Sequence, residues 1–235
     1  MAIVSLENVK KNYSLGTVLV PAVRGVSFNI EKGDFISIAG PSGSGKSTIL
    51  NMIGCMDTPS EGKVIVNGKD ISLLSDYQTT LLRHETIGFI FQSFNLIPVL
   101  NVYENIEFPL LLGKGGANNP ENKKHNKEWI EYLINQVGLE RWMHHKSNEL
   151  SGGQRQRVAI ARALVTKPTI VLADEPTANL DSKTGEEVIE LMKKINHAMD
   201  TTFIFSTHDA SVVGIADHVI RLKDGLITEN IRKGA

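Results

Sequence analysis

Gly40-Pro41-Ser42-Gly43-Ser44-Gly45-Lys46-Ser47-Thr48 lies between an apolar stretch ending at Ala39 and a helical run from Thr48 to Gly54, and it fits the spacing GxxxxGK[ST]. Glycines at these positions let a loop wrap with its backbone N–H groups pointing inward, and the following helix offers the positive end of its dipole. The segment reads as a phosphate cradle, in the strand-to-helix context that this spacing requires. Lys46 is expected to reach the β and γ phosphates of a nucleotide, and Ser47 to give its hydroxyl to Mg2+.

Around the cradle, the runs Ile3–Leu6, Val23–Ile30, Asp34–Ala39 and Lys63–Val66 are separated by turn signals such as Glu31-Lys32-Gly33 and Asn67-Gly68. They predict a partly antiparallel N-terminal β region. Ile87–Phe91 reads as a strand, and Val102 to about Leu164 as several helices. After Thr169, strands at Ile170–Ala173, Thr202–Ser206 and His218–Leu222 alternate with a helix at Lys183–His197 and a shorter one. Such alternation implies an α/β core with a mainly parallel sheet. The expected division is a core from 1–92 and 167–235 and an inserted helical subdomain at 93–166. Gly113–Pro120, rich in turn formers, reads as a solvated loop, with a partner contact as the alternative.

Leu150-Ser151-Gly152-Gly153-Gln154 precedes the helical run Arg155–Leu164, so a second glycine-rich segment puts backbone donors at a helix start. Taken alone, Ser151 reads more readily as an ordinary N-cap. The buried-strand pattern Ile170–Ala173 ends in Asp174 and Glu175, where open α/β sheets bind ligands. Asp174 is suited to hold Mg2+ through its waters, and Glu175 to take the proton of a water attacking a γ-phosphate. Strand Phe203–Ser206 delivers His208 to the same layer, where imidazole can bond the γ-phosphate, although a lone histidine is more often structural. His144 and His145 lack metal-ligand spacing, and the single cysteine, Cys55, reads as a buried thiol.

A net charge of −1 gives no electrostatic handle for a nucleic acid, and no apolar run approaches the roughly 20 residues of a membrane span. Glu7 and two lysines interrupt the N-terminus before a signal-peptide core could form, so a cytoplasmic location is expected.

GPSGSGKST, Phe91-Gln92, LSGGQ, VLADE, Ala178-Asn179-Leu180-Asp181 and Ser206-Thr207-His208-Asp209 together, and in this order, resemble the motif set of the ABC transporter nucleotide-binding domain. The resemblance spans essentially the whole chain and implies a RecA-like P-loop NTPase core. FNLIPVLNVYENIEFPLL, LSGGQRQRVAIARAL and VLADEPTANLD resemble the branch with the lipoprotein-release, macrolide-exporter and FtsE-like ATPases. Asn101 and Ala178 stand where threonine and glycine or serine are frequent there, and Asn101 can still cap a helix at Val102.

That resemblance implies ATP and Mg2+ as cofactors and hydrolysis of ATP as the activity. Tyr13 resembles the aromatic that stacks on adenine, Gln92 the glutamine that touches Mg2+ and the water, His208 the switch histidine and Asp181 the D-loop aspartate. Leu150, Ser151, Gly152, Gly153 and Gln154 would act in trans, on ATP held by a second copy, so that a homodimer encloses two nucleotides. A membrane permease would dock near Gln92–Leu112 and hold the subunit at the cytoplasmic face of the membrane, although those residues could equally pack the helical subdomain. The work driven would be lipoprotein release, macrolide or peptide export, or FtsE-like mechanotransmission without cargo. A soluble ABC ATPase acting on nucleic acid would carry a coiled-coil insertion or a second motor, and neither is present.

Overall fold

The structure, a computed structural model, describes residues 2–112 and 120–233, so all but Pro120 of the expected solvated loop lies outside the described residues. The chain opens with β1 (Ala2–Leu15), β2 (Val18–Glu31), β3 (Phe35–Ala39) and α1 (Lys46–Ile53). Next come β4 (Glu61–Val66), β5 (Lys69–Asp70), α2 (Asp76–Thr86) and β6 (Ile87–Ile90). Three helices follow, α3 (Val102–Leu111), α4 (Pro120–Gln136) and α5 (Gly152–Leu164). The last third holds β7 (Ile170–Asp174), α6 (Ser182–Met199), β8 (Thr202–Thr207), α7 (Ala210–Ile215), β9 (His218–Lys223) and β10 (Leu226–Arg232).

Two sheets result. One is antiparallel with order β2-β1-β4-β5, and the other runs β10-β9-β3-β8-β7-β6. In the second, β9, β3, β8, β7 and β6 are mutually parallel, and only β10 runs against its neighbour. Its central strands carry near-continuous apolar runs because both faces are covered. Phe35, Val171, Ala173, Phe203 and Phe205 pack with Val102, Ile106, Val158, Ile160, Val188 and Met192 of the helical layer. Ile36, Ile38, Ile170, Leu172 and Ile204 pack on the other side with Ile49, Met52 and Ile53 of α1 and with Val4, Leu6, Ile30 and Val64 of the antiparallel sheet. The period of two along each strand thus sends alternate side chains into two cores.

The parallel strands all end at one edge, with Ala39 in register with Thr207 and Asp174 with Ser206. The loops after β3, β7 and β8 therefore meet in one place. Three features extend the sequence reading. Strands β1 and β2 are far longer than the runs Ile3–Leu6 and Val23–Ile30, because irregularities around Asn8 (φ 47°) and at Lys11/Asn12 break the alternation that marks a strand. Helix α2 was not expected, although Ser75 and Gln78 form a capping box at its start. Strand β10 is almost wholly exposed, so it carries no apolar period. Cys55 is buried as expected, and burial pushes its thiol up to about 11.

Candidate functional site

Helix α1 begins without a side-chain cap: Gly45, its N-cap, has φ 102° and offers none. Helices α2, α3, α5 and α6 are capped by Ser75, Asn101, Ser151 and Asp181. The first amides of α1 are thus left for a ligand at the end of its dipole where an anion is stabilised. Two glycines are obligatory by contact. A Cβ on Gly45 would stand 2.6 Å from the Ala22 carbonyl oxygen, and one on Gly40 2.2 Å from that of Leu222. Lys46 is nearly buried and folds back over the loop, its Nζ donating to the carbonyls of Gly40 (2.9 Å) and Pro41 (3.1 Å).

A cleft of about 650 Å³ opens above this loop. Its walls include Pro41, Ser42, Gly43, Gly45, Lys46, Ser47 and Thr48 from the loop, and Gln92, Asp174, Glu175 and His208 from three other strand ends. Gly40 and the buried Ser44 lie beneath that wall, where Ser44 accepts the Gly225 amide through its carbonyl (3.2 Å). The Ser47 hydroxyl donates to Asp174 Oδ1 at 3.4 Å. Two hard oxygen donors so close suit Mg2+, which keeps several waters and needs few protein ligands when phosphate oxygens complete its shell. Among the described residues no cluster of three or more His, Cys, Asp or Glu suits a metal held by protein alone.

Glu175 takes a backbone conformation unusual for a non-glycine residue, φ 46°, immediately after β7. Its amide donates to the Ser206 carbonyl of β8 at 2.9 Å. Its carboxylate lies 2.9 Å from His208 Nδ1, and the Thr207 hydroxyl faces it at 3.5 Å. The carboxylate is mostly sheltered, whereas the imidazole is 70% exposed and lies at the mouth. Next to it, Asp209 accepts from Ser211 N (2.9 Å) and from the Thr177 hydroxyl (3.0 Å). Burial alone would raise the Asp209 carboxyl, but the bonds from Ser211 and Thr177 and the nearby His208 hold it below the usual value.

Other sequence-derived residues lie elsewhere. Ser151 is the N-cap of α5, in a capping box in which Gln154 N donates to Ser151 Oγ (3.3 Å) and Ser151 N to Gln154 Oε1 (2.8 Å). A Cβ on Gly153 would fall 2.4 Å from Thr184 Cγ2, and Gly152 faces Leu180, so this segment packs closely on the start of α6. There Asp181 caps α6 through Thr184 N (3.0 Å), and hydrogen bonds from Thr184 lower its carboxyl below the usual value. None of Leu150–Gln154, Asp181 or Tyr13 lines the cleft. Tyr13 stands on β1, paired with Val20, two residues before Ala22 of the cleft wall.

Several contributors were not legible beforehand. Asn179 Nδ2 donates to the Gln92 carbonyl at 2.8 Å, tying the β6 loop to the segment after Glu175. Arg162 of α5 donates to the carbonyls of Phe94 (2.7 Å) and Asn95 (2.5 Å), residues that both hold a left-handed backbone. Ala22 and Ala178 line the cleft with nothing in their chemistry to signal it. The Phe94–Leu112 segment divides: Val102 and Ile106 are core, whereas Val99, Phe108, Leu111 and Leu112 are exposed. A groove of about 440 Å³ beside it includes Phe89, Phe91, Asn95, Pro109, Leu112 and Arg162. Asn101 caps α3 as expected, through Glu104 N at 2.9 Å.

Comparison with known proteins gives consistent likenesses. The profile of the family described as ABC transporter matches residues 23–178. An uncharacterized ABC transporter ATP-binding protein of Methanocaldococcus jannaschii is 48% identical over 222 residues, covering 94% of each chain. A dimeric post-hydrolysis structure of that cassette, bound to ADP and Pi, superposes with a TM-score of 0.87 at 45% identity, over 99% of both chains. The lipoprotein-releasing system ATP-binding protein LolD 1 of Rhodopseudomonas palustris is 42% identical over 96% of this chain and 98% of its own. The macrolide export ATP-binding/permease protein MacB of Bdellovibrio bacteriovorus is 42% identical over 97% of this chain but only 34% of its own length.

Proposed function

The chain belongs to the ABC transporter family, and from that premise we propose that it is the ATP-hydrolysing subunit that works as a homodimer on a separate membrane permease. The observation that carries this reading is the meeting of an uncapped α1, Lys46, Asp174, Glu175, Gln92 and His208 in one cleft. That set fits a nucleoside triphosphate and an attacking water.

Lys46 exchanges the Gly40 and Pro41 carbonyls for the β and γ phosphates, while the α1 amides take the remaining phosphate oxygens. Ser47 and Asp174, with Gln92, would hold Mg2+, which when bound would offset the negative charge of those oxygens. Glu175 takes the proton of the water as it attacks the γ-phosphorus in line, and the bond to the β–γ bridging oxygen breaks to give ADP and phosphate. His208, hydrogen-bonded to Glu175, sets the carboxylate toward the water and bonds the γ-phosphate. Tyr13 stacks on the adenine.

Leu150–Gln154 lies away from the cleft of its own chain, which supports its action in trans on the nucleotide of a second copy. The M. jannaschii relative forms a dimer with ADP and Pi. Closure of two copies would exclude water and strengthen every electrostatic contact on the phosphates. The permease is expected in the groove beside Phe89, Phe91 and Leu112. The names of the LolD and MacB relatives favour lipoprotein release or macrolide export as the work driven.

Light scattering of Glu175→Gln tests this reading. The expected result is a mass that doubles with ATP and not with ADP. A variant that binds ATP tightly yet stays monomeric at every concentration would overturn the composite site.

A further inference from the structure

Tyr13 is held by a small polar cluster. Its hydroxyl donates to Asp57 Oδ2 at 2.8 Å. On the other side of the carboxylate, Lys11 Nζ bonds Asp57 Oδ1 at 2.5 Å and the Thr58 carbonyl at 2.8 Å. The same ammonium stands 5.0 Å from the centre of the Tyr13 ring, within cation–π range. Asp57 also accepts its neighbour's amide, Thr58 N, at 2.8 Å. The turn that carries Asp57 is fastened to β1, since Ser60 N donates to the Lys10 carbonyl (2.8 Å) and Asn12 N to Ser60 Oγ (3.0 Å).

This arrangement is more than a surface ion pair. Lys11 and Asp57 keep only 12% and 23% of their side-chain surface exposed, so their attraction is little screened. Tyr13, by contrast, is 37% exposed. The Asp57–tyrosine bond restrains the ring at its far end while Lys11 restrains its face. Burial, and then the bond to Asp57, raise the phenol's pKa, so the hydroxyl remains a donor throughout the neutral range.

We propose that Asp57, together with Lys11, is a positioning residue for base recognition: it pre-sets the Tyr13 ring. The inference rests on the reading that Tyr13 stacks on adenine. Asp57 does not line the cleft, so its effect passes through the ring and reduces the rotamer freedom lost on binding.

The test compares binding of ATP and of inorganic tripolyphosphate, which has no base, to the full chain carrying Tyr13→Phe, Asp57→Ala, both together, or Tyr13→Ala. Tyr13→Phe and Asp57→Ala are each expected to weaken ATP binding on the order of threefold to tenfold, as for one net hydrogen bond, and to leave tripolyphosphate unchanged. The double variant should lose no more than either single one, because both cut the same link. Loss of ATP binding in Tyr13→Ala but wild-type affinity in Tyr13→Phe would overturn the anchor and leave the stacking role standing. Wild-type affinity in Tyr13→Ala would overturn stacking and anchor together. Equal losses for ATP and tripolyphosphate in Asp57→Ala would reduce Asp57 to a structural residue. Tyr13→Phe removes one exposed oxygen and settles the anchor even if Asp57→Ala does not fold.

Discussion

Glu175 sits in the left-handed region at the end of a buried strand, a backbone state that costs a non-glycine residue on the order of 1–3 kcal/mol. The bonds that hold it there are its amide to Ser206 and its carboxylate to His208. The strain is therefore maintained by the neighbouring strand, and its product is a carboxylate aimed into the cleft. Glu175→Gln preserves that geometry and removes only the basicity, so ATP binding should persist while turnover falls about 10²- to 10⁴-fold, measured by phosphate release. Retained wild-type turnover would remove Glu175 from the role of base. Residues such as Lys46, Asp174 and Glu175 were legible in the sequence because their chemistry depends on spacing within one loop or one strand end. Asp57 and Asn179 were not, because their partners, Tyr13 and the Gln92 carbonyl, lie 44 and 87 positions away in the chain. Only the packing of two sheets and several loops brings them near.

At the scale of elements, helix α5 links the glycine-rich segment at its start to the loop after β6. Arg162 near its C-terminal end bonds two carbonyls of the Phe94–Asn95 turn, and Arg155 lies over the Phe94 ring at 5.3 Å. Gln92, two residues before that turn, lines the cleft. Arg162→Ala would leave both carbonyls short of a donor, a loss of about 1–3 kcal/mol, and would free the loop that carries Gln92. The expected outcome is a lower melting temperature and slower turnover with ATP affinity retained, read by calorimetry, phosphate release and titration; an unchanged turnover rate would separate Arg162 from the placing of Gln92. Element types were legible wherever one period ran unbroken, as in β3, β7, β8 and α6. The ends of β1 and β2 were not, since local irregularities disturb the alternation, nor was β10, whose residues face solvent. Helix α2 does announce its start, through Ser75 and Gln78, but its apolar face is thin: only Leu82 and Thr86 are buried.

For the whole molecule, one polar junction ties the N-terminal half to the last hairpin. Arg232 of β10 grips Asp34 with two bonds, 2.8 and 3.0 Å, and His218 of β9 stands 3.8 Å from the same carboxylate. Burial would raise the Asp34 carboxyl, but the nearby His218 ring, the two bonds from Arg232 and the Glu31 amide outweigh it and hold the group below the usual carboxylate value. A folded-state value below the unfolded one stabilises the fold above the unfolded value, and that contribution fades as pH falls through the folded one. Arg232→Gln should therefore lower stability to urea at pH 7, with a gap that narrows in strong acid as the carboxyl becomes protonated in both proteins. A gap equal at both pH values would assign the loss to packing.

The order of strands has a consequence for how the chain comes to life. Strand β3 leads directly into the phosphate loop, yet both its neighbours, β8 and β9, begin only at Thr202 and His218. The loop also rests on the Leu222 carbonyl at Gly40 and on the Gly225 amide at Ser44. During synthesis from the N-terminus, the cradle's sequence emerges well before its floor and flanks, and such distant pairings close late. A nascent chain is thus kept from engaging nucleotide until β8, β9 and the Gly225 turn have been made, and competence arrives together with Glu175 and His208 rather than ahead of them.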